Sequence, residues 1–321
     1  VTPGSTSPGK VAFQLGGVGR NIAECLGRLG QRPLFISAVG QDAAGQQIIS
    51  QLRGVHVQTR GIRVCPGQPT PTVACCFDGR GNLRSGVADT GLLERELTGE
   101  WVARFRGDIE SAKILLLEAN LTLEAIEVCV GIAHAANVPV FFEPVSVHKS
   151  VRVVPFLSKV AYLSPNEAEL GAIVAQAAAN FDCGPPEAMG ATGAVESNSS
   201  VLHALGVKHV LVTRGEDGVY ASSRTSTNSG EGHEMRIPSL AQLRVVNVNG
   251  AGDCLVAGLV KALVESSGTG SLEYAVSYGI AVACAAIQSE ANVPRISNPD
   301  ELDANAWHVF SKRKTRQTHS T

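Results

Sequence analysis

A carboxylate at the mouth of an apolar helix is the most chemically suggestive feature of the chain. Asp253 follows Gly250-Ala251-Gly252 and precedes Cys254-Leu255-Val256-Ala257-Gly258-Leu259, and a β-branched run, Val245-Val246-Asn247-Val248-Asn249, leads into it. This pattern predicts a strand, a tight turn and a helix N-terminus. Glycines let a ligand approach the backbone, and the unpaired amides and positive dipole end of a helix suit an anion such as a phosphoryl group. Two roles are open to Asp253. It can cap the helix, or it can take a proton from an attacking hydroxyl while the amides of Gly250, Ala251 and Gly252 hold the charge that develops on phosphate.

Other glycine-rich stretches compete for a functional reading. Gly16-Gly17-Val18-Gly19-Arg20-Asn21 follows the apolar segment Val11 to Leu15 and opens a helix, Ile22 to Leu29, closed by Gly30. Gly17-Val18-Gly19 alone suggests dinucleotide binding. Against it, the third glycine position holds Ile22, and the acidic residue farther on, Asp42, follows Gly40 as a helix cap. No Gly-Lys-Ser or Gly-Lys-Thr occurs, so a Walker-type phosphate loop is excluded. Pro165-Asn166-Glu167-Ala168-Glu169 reads locally as an Asn cap with acids in the first helical turn, and Thr213-Arg214-Gly215-Glu216-Asp217-Gly218 as a glycine turn after a strand.

The elements that must position these residues alternate in the second half of the chain. Strand candidates at Ile114 to Glu118, Val138 to Glu143, Val160 to Ser164 and His209 to Thr213 are separated by helical patterns at Leu123 to Ala136, Ser150 to Leu157, Glu167 to Gln176 and Ser199 to Leu205. The expected fold is α/β, a doubly wound, mostly parallel sheet flanked by helices. Asn166, Gly215 and Gly250 then share the rim at the carboxyl ends of the strands, where such sheets bind ligands. Val11 to Leu15, Val55 to Val64, Thr72 to Asp78 and Leu83 to Ala88 predict a small separate sheet, with Gly79-Arg80-Gly81-Asn82 as a hairpin turn. One domain is expected over 1–321, with the small sheet drawn from about 11–15 and 55–90 and the body from about 16–54 and 91–310. Ala177 to Asn198 and Ser222 to Glu234 read as surface loops, and 311–321 as a disordered basic tail.

Composition narrows the function. The 321 residues are 44% hydrophobic and 17% charged, enough apolar material for one large core. A net charge of -2 exerts no general pull toward nucleic acid or membrane, so any anion site must be local. The eight cysteines include no Cys-Xaa-Xaa-Cys pair and read as buried thiols of a reducing compartment, cytoplasm or organelle matrix. No apolar run reaches the roughly 18 to 20 residues of a membrane span.

Taken together the motifs resemble one family. Gly16-Gly17-Val18-Gly19-Arg20-Asn21-Ile22-Ala23-Glu24 resembles the first signature of the PfkB, or ribokinase-like, sugar and nucleoside kinases, and Asn247 to Gly258 resembles the second. Asn166 to Glu169 is similar to the family's Asn-Xaa-Xaa-Glu motif and Thr213 to Gly218 to its Thr-Xaa-Gly-Xaa-Xaa-Gly nucleotide loop. Within the family the resemblance is greatest to the pseudouridine kinases. It rests on the wording of the first signature with Pro8-Gly9 before it, and on Asn247-Val248-Asn249 where most relatives carry Asp-Thr. Glu143-Pro144-Val145-Ser146 and Ala88-Asp89-Thr90 fit the same branch.

The resemblance implies ATP-dependent phosphorylation of the 5′-hydroxyl of pseudouridine, with Asp253 as base and Gly250, Ala251 and Gly252 as the anion hole. The alternatives are another nucleoside or sugar kinase of this fold, or a nucleotide-binding module without turnover. Gly16, Gly17 and Asn21 would bind ribose hydroxyls, Thr213, Gly215 and Gly218 would bound the ATP site, and Asn166 and Glu169 would act on Mg²⁺ through its waters. Asn247 would neighbour a monovalent cation such as K⁺, and Arg20 and Lys149 would touch phosphate. The small sheet would be a lid over the sugar whose edge could pair two subunits, and a pseudouridine-5′-phosphate glycosidase would be a functional neighbour. Relatives open with a central strand that ends in a substrate-binding Asp, and this sequence starts after its place. The expectation is a sheet lacking hydrogen-bond partners on both sides of that place, and a pocket short of one ribose ligand.

Overall fold

The computed structural model describes residues 9–77, 83–181, 194–224, 232–266 and 271–318. Glycine ends the first loop, and α1 (Val18–Arg28) buries its residues from Arg20 to Gly27. β1 (Ser37–Gly40) leads to α2 (Ala43–Gly54), whose N-terminus is capped by Asp42 accepting from the Gly45 amide at 2.8 Å. β2 (Ile62–Cys65) pairs with β1 in parallel, Ser37 opposite Ile62 and Gly40 opposite Cys65. β3 (Thr72–Phe77) and β4 (Leu83–Asp89) form an antiparallel pair, and Val73 and Val87 lie exposed on it. Three short helices follow, α3 (Gly91–Glu96), α4 (Gly99–Ala103) and α5 (Arg106–Glu110).

The body then alternates as its sequence pattern requires. β5 (Leu115–Glu118), α6 (Leu123–Ala135), β6 (Val140–Glu143), α7 (Val147–Ser150), β7 (Tyr162–Leu163), α8 (Glu167–Phe181), α9 (Val195–Ala204) and β8 (His209–Thr213) make four parallel strands with helical crossovers. β9 (Val219–Arg224) and β10 (Gly232–Ile237) extend the sheet antiparallel, and α10 (Ala251–Glu265), α11 (Leu272–Ile287) and α12 (Pro299–Ser311) complete it before β11 (Lys314–Thr318). The seven strands are ordered β11-β10-β9-β8-β7-β6-β5. Consecutive strand residues serve opposite faces: Phe141 and Leu211 pack with α1, α10, α11 and α12, while Phe142, Val210 and Val212 pack with α6, α8 and α9. Burial on both faces explains why these strands read as unbroken apolar runs.

β5 ends its side of the sheet, and among the described residues β1 pairs with β2 alone. Both strands line one cavity of about 1430 Å³, together with Leu26 of α1 and Ile109 of α5. Among the described residues no ladder joins β5 to β1.

Several local expectations are corrected. Val11 to Leu15 form no strand: Val11 is 84% and Phe13 95% exposed, and the segment is tethered by Gln14 Nε2 to the Glu290 carbonyl and Asn292 Nδ2 to the Leu15 carbonyl, each 3.2 Å. Of Val55 to Val64 only the end is strand, and it joins β1 instead of the small sheet, which is the β3–β4 pair. Val245 to Asn249 also form no strand, because the amides of Val246 and Asn247 both reach the single carbonyl of Ile287, at 2.7 and 3.1 Å, and no ladder follows. Pro155 accompanies a 3-10 helix over Val151–Lys159 where an α-helix was expected from Ser150. The basic tail is ordered as far as β11, which pairs antiparallel with the free edge of β10. The two expected loops shrink, since α8 reaches Phe181 and α9 starts at Val195, while β9 and β10 take both ends of the second; 182–193, 225–231 and the turn Gly79 to Asn82 lie outside the described residues.

Candidate active site

The mouth of α10 is built as its glycines suggest. Gly250 caps the helix at φ 78°, and a Cβ there would lie 2.3 Å from the Asn292 carbonyl oxygen, so only glycine fits. The Ala251 amide donates to the Val248 carbonyl at 3.3 Å and is not free for an anion. Gly252 is exposed, with nothing within 4 Å of where its side chain would stand, and among the described residues no backbone carbonyl receives the amides of Gly252 and Asp253, whereas the Cys254 amide donates to the Gly250 carbonyl at 2.9 Å. Asp253 is half-buried and accepts from Asn21 Nδ2 at 2.8 Å. Burial pushes its pKa up to about 6, against the pull of the Asn21 amide and the Arg20 charge. Such a carboxylate is ionised at neutral pH yet basic enough to take a proton.

Asn21 comes to this point on α1, with Gly16 and Gly17 immediately before the helix and on the wall of the large cavity. Arg20, expected to touch phosphate, lines the large cavity, yet it is only 7% exposed and paired with Glu24. Lys149 lines the large cavity but gives a hydrogen bond to Asn120 Oδ1.

Two carboxylates to which the sequence assigned no chemical role stand at the carboxyl ends of adjacent strands. Glu118 ends β5, accepts from the Asn120 amide at 3.2 Å and lines the large cavity, where burial pushes its pKa to about 7. Glu143 ends β6, accepts from the Ser164 hydroxyl, and is pushed to about 8 by burial, with the charges of Asp253 and Glu169 adding to the rise. The available signal was a single acid closing each apolar run.

Asn166 and Glu169 hold each other. Glu169 Oε2 accepts from the Asn166 amide and Asn166 Oδ1 from the Glu169 amide, each 2.9 Å, a reciprocal cap on α8. Asn166 also bridges to Thr213 at the end of β8, and the two segments with Arg214, Gly215 and Asp217 line a second cavity of about 310 Å³. Gly218 ends this loop at φ 84°, where a Cβ would meet the Ile237 carbonyl oxygen at 2.1 Å. Asn247 spends both ends of its amide: Oδ1 accepts from the Asn249 amide of its own loop at 2.9 Å, and Nδ2 donates to the Glu290 carbonyl beyond α11 at 3.2 Å.

The pfkB family carbohydrate kinase model matches residues 3–297. The chain belongs to that family. The pseudouridine kinase of Arabidopsis thaliana is 33% identical, with 99% of this chain and 93% of the relative covered. The pseudouridine kinase of Escherichia coli K12 is 30% identical, with 94% and 87% covered. An E. coli structure described as a ribokinase II, solved with ATP and Mg²⁺, superposes at a TM-score of 0.75 and 18% identity, covering 96% of this chain and 93% of that one. As a pfkB kinase the chain is a phosphotransferase of the ribokinase-like α/β fold that acts on a hydroxyl of a small sugar or nucleoside. No helix among the described residues is long and apolar enough to cross a membrane.

The donor set fits Mg²⁺ held through water more than by direct ligation. Among the described residues no group of three His, Cys, Asp or Glu side chains could hold a metal ion. Glu143, Glu169 and Asp253 nevertheless lie near enough for the last two charges to disfavour ionisation of the first. A hydrated cation bound there would relieve that field.

Proposed function

We propose that the chain transfers the terminal phosphoryl group of ATP to the 5′-hydroxyl of pseudouridine. The observation that carries this is Asp253, an ionised carboxylate of raised pKa at a helix mouth, hydrogen-bonded to Asn21 and flanked by the open backbone of Gly252. Asp253 takes the proton of the attacking hydroxyl, and the free first-turn amides stabilise charge on the moving phosphoryl group. Asn21 beside Asp253, with Gly16 and Gly17, orients the ribose, and Glu118 on the cavity wall that the two glycines share supplies a further acceptor for a sugar hydroxyl. Thr213, Gly215 and Gly218 border the nucleotide, while Asn166, Glu169 and Glu143 face its hydrated Mg²⁺, which neutralises phosphate charge when bound. The β3–β4 hairpin closes over the sugar, and its exposed edge serves a homodimer.

The choice of pseudouridine as acceptor leans on the two relatives named pseudouridine kinase, both covered over most of their length. A glycosidase that cleaves pseudouridine 5′-phosphate is the enzyme that would consume the product. Incubation with Mg-ATP and pseudouridine, uridine, adenosine, ribose and fructose in parallel tests the substrate. Pseudouridine is expected to give the highest kcat/KM; faster phosphorylation of ribose or adenosine rejects it.

A further inference from the structure

Arg20 is a buried cation one residue from Asn21, and its hydrogen bonds are arranged around that neighbour. Nη1 donates to the Leu15 carbonyl at 3.1 Å and to Asn21 Oδ1 at 2.7 Å, and Nη2 donates to Glu24. Glu24 is itself 1% exposed and accepts from Arg28 Nε and Gln51 Nε2, each 2.8 Å. A primary amide has one accepting and one donating end. With Oδ1 held by the guanidinium, Nδ2 is the end of Asn21 that meets Asp253 Oδ2 at 2.8 Å.

We propose that Arg20 is a positioning residue for phosphoryl transfer, fixing the Asn21 amide so that its NH₂ group faces Asp253, with Glu24 as the anchor that fixes Arg20. This rests on Asp253 being the base. Beyond satisfying a buried donor, the bond from Arg20 to Asn21 Oδ1 fixes which end of that amide meets Asp253, which the bonds to Glu24 and Leu15 do not. The planar fork of arginine reaches the Leu15 carbonyl, Asn21 and Glu24 at once, whereas a lysine ammonium is a point charge without that fixed geometry. Of the charged groups around Asp253, Arg20 from α1 favours its ionised form, and the Asp253 charge in turn disfavours ionisation of Glu118 on β5 and Glu143 on β6.

The test uses Arg20→Lys, which keeps a charge for Glu24, and the double variant Arg20→Met with Glu24→Gln, which leaves neither buried partner ionised alone. Both are expected to fold, to lower kcat by about tenfold or more with KM for ATP within about twofold, and, in the double variant, to move the acid limb of kcat to higher pH. In an Asn21→Ala background the same Arg20→Lys change is expected to alter kcat by less than about twofold, because the amide it positions is gone. Unchanged kcat and acid limb in the folded variants overturns the proposal, as does an equal kcat loss from Arg20→Lys with and without Asn21. A carboxyl-carbon NMR titration of Asp253 in nucleotide-free protein separates this from the base role. If the titration moves to higher pH in the double variant while the wild-type chain phosphorylates no acceptor, Arg20's hold on Asp253 stands and the base role falls; a titration that does not move, in an active enzyme, overturns Arg20.

Discussion

Asp253 must be both shielded enough to be basic and charged enough to accept a proton, and the balance falls near pH 6. The first prediction follows from that balance. Asp253→Asn keeps an acceptor for Asn21 Nδ2 but cannot take a proton, so kcat is expected to fall by about 100-fold or more while nucleotide affinity stays within about twofold. Equal loss of both in calorimetry and steady-state kinetics would make Asp253 a structural cap. In the wild type, kcat/KM is expected to fall below about pH 6 as Asp253 is protonated, not near pH 4 as for an exposed carboxylate; a profile flat to pH 5 contradicts its role. At this scale the sequence was legible where glycines fix the backbone: Gly250, Gly252 and Asn21 announce a crowded turn and a helix mouth through residue type alone. Glu118 and Glu143 were not, because a single acid closing an apolar run says nothing about what folds against it. Their meaning depends on neighbours such as Asn120, Ser164 and Asp253, brought there by other strands and helices.

At the scale of elements, composition anticipated segments that could be strands but not whether an edge awaited them. Val11 to Leu15 and Val245 to Val248 have strand-like residues and no ladder, while the polar Lys314–Thr318 becomes a strand because the edge of β10 is free. The crossovers from β5 to β8 were legible because both faces of each strand are covered, which leaves a period that turn residues punctuate. The start of α8 carries two interpretations that mutation can separate. Asn166→Ala removes the reciprocal cap and is expected to cost about 1 kcal/mol of stability. If Asn166 also orders the waters of Mg²⁺, the same change raises the Mg²⁺ concentration for half-maximal activity several-fold. Asn166→Ser keeps a capping oxygen, so it should restore the denaturation midpoint without restoring the Mg²⁺ response. Recovery of both by serine would leave Asn166 a cap and nothing more.

Over the whole molecule, the candidate site gathers acid groups whose charge goes unbalanced until a cation arrives, and this should be visible in global stability. Glu143 is raised to about 8 and Glu118 to about 7, both by burial, so the native state keeps protons that the unfolded chain has already released. A carboxylate whose folded pKa lies above its unfolded value makes stability fall as pH rises from the unfolded pKa to the folded one, with no further loss above it. Below pH 6.5 this slope is opposed by His203 and His209, which burial keeps neutral, His209 down to about 4, since the unfolded chain then binds the extra protons. From pH 6.5 to 8.5 the carboxylates dominate, because the histidine effect fades as the unfolded imidazoles lose their protons and the buried thiols, Cys129 raised to about 12 among them, add to the fall only toward pH 8.5. Urea denaturation of the nucleotide-free protein is therefore expected to give a stability about 2 kcal/mol lower at pH 8.5 than at pH 6.5, most of it from Glu143, at about 1.4 kcal/mol per pH unit. Glu143→Gln should flatten that slope and be more stable than wild type at pH 8.5. Mg-ATP should reverse the order, stabilising the wild type more than the glutamine variant, because a bound cation favours the ionised carboxylate. A flat wild-type slope, or equal stabilisation of the two proteins by Mg-ATP, would mean that Glu143 is hydrated and paired in ways unrelated to the transferred phosphate.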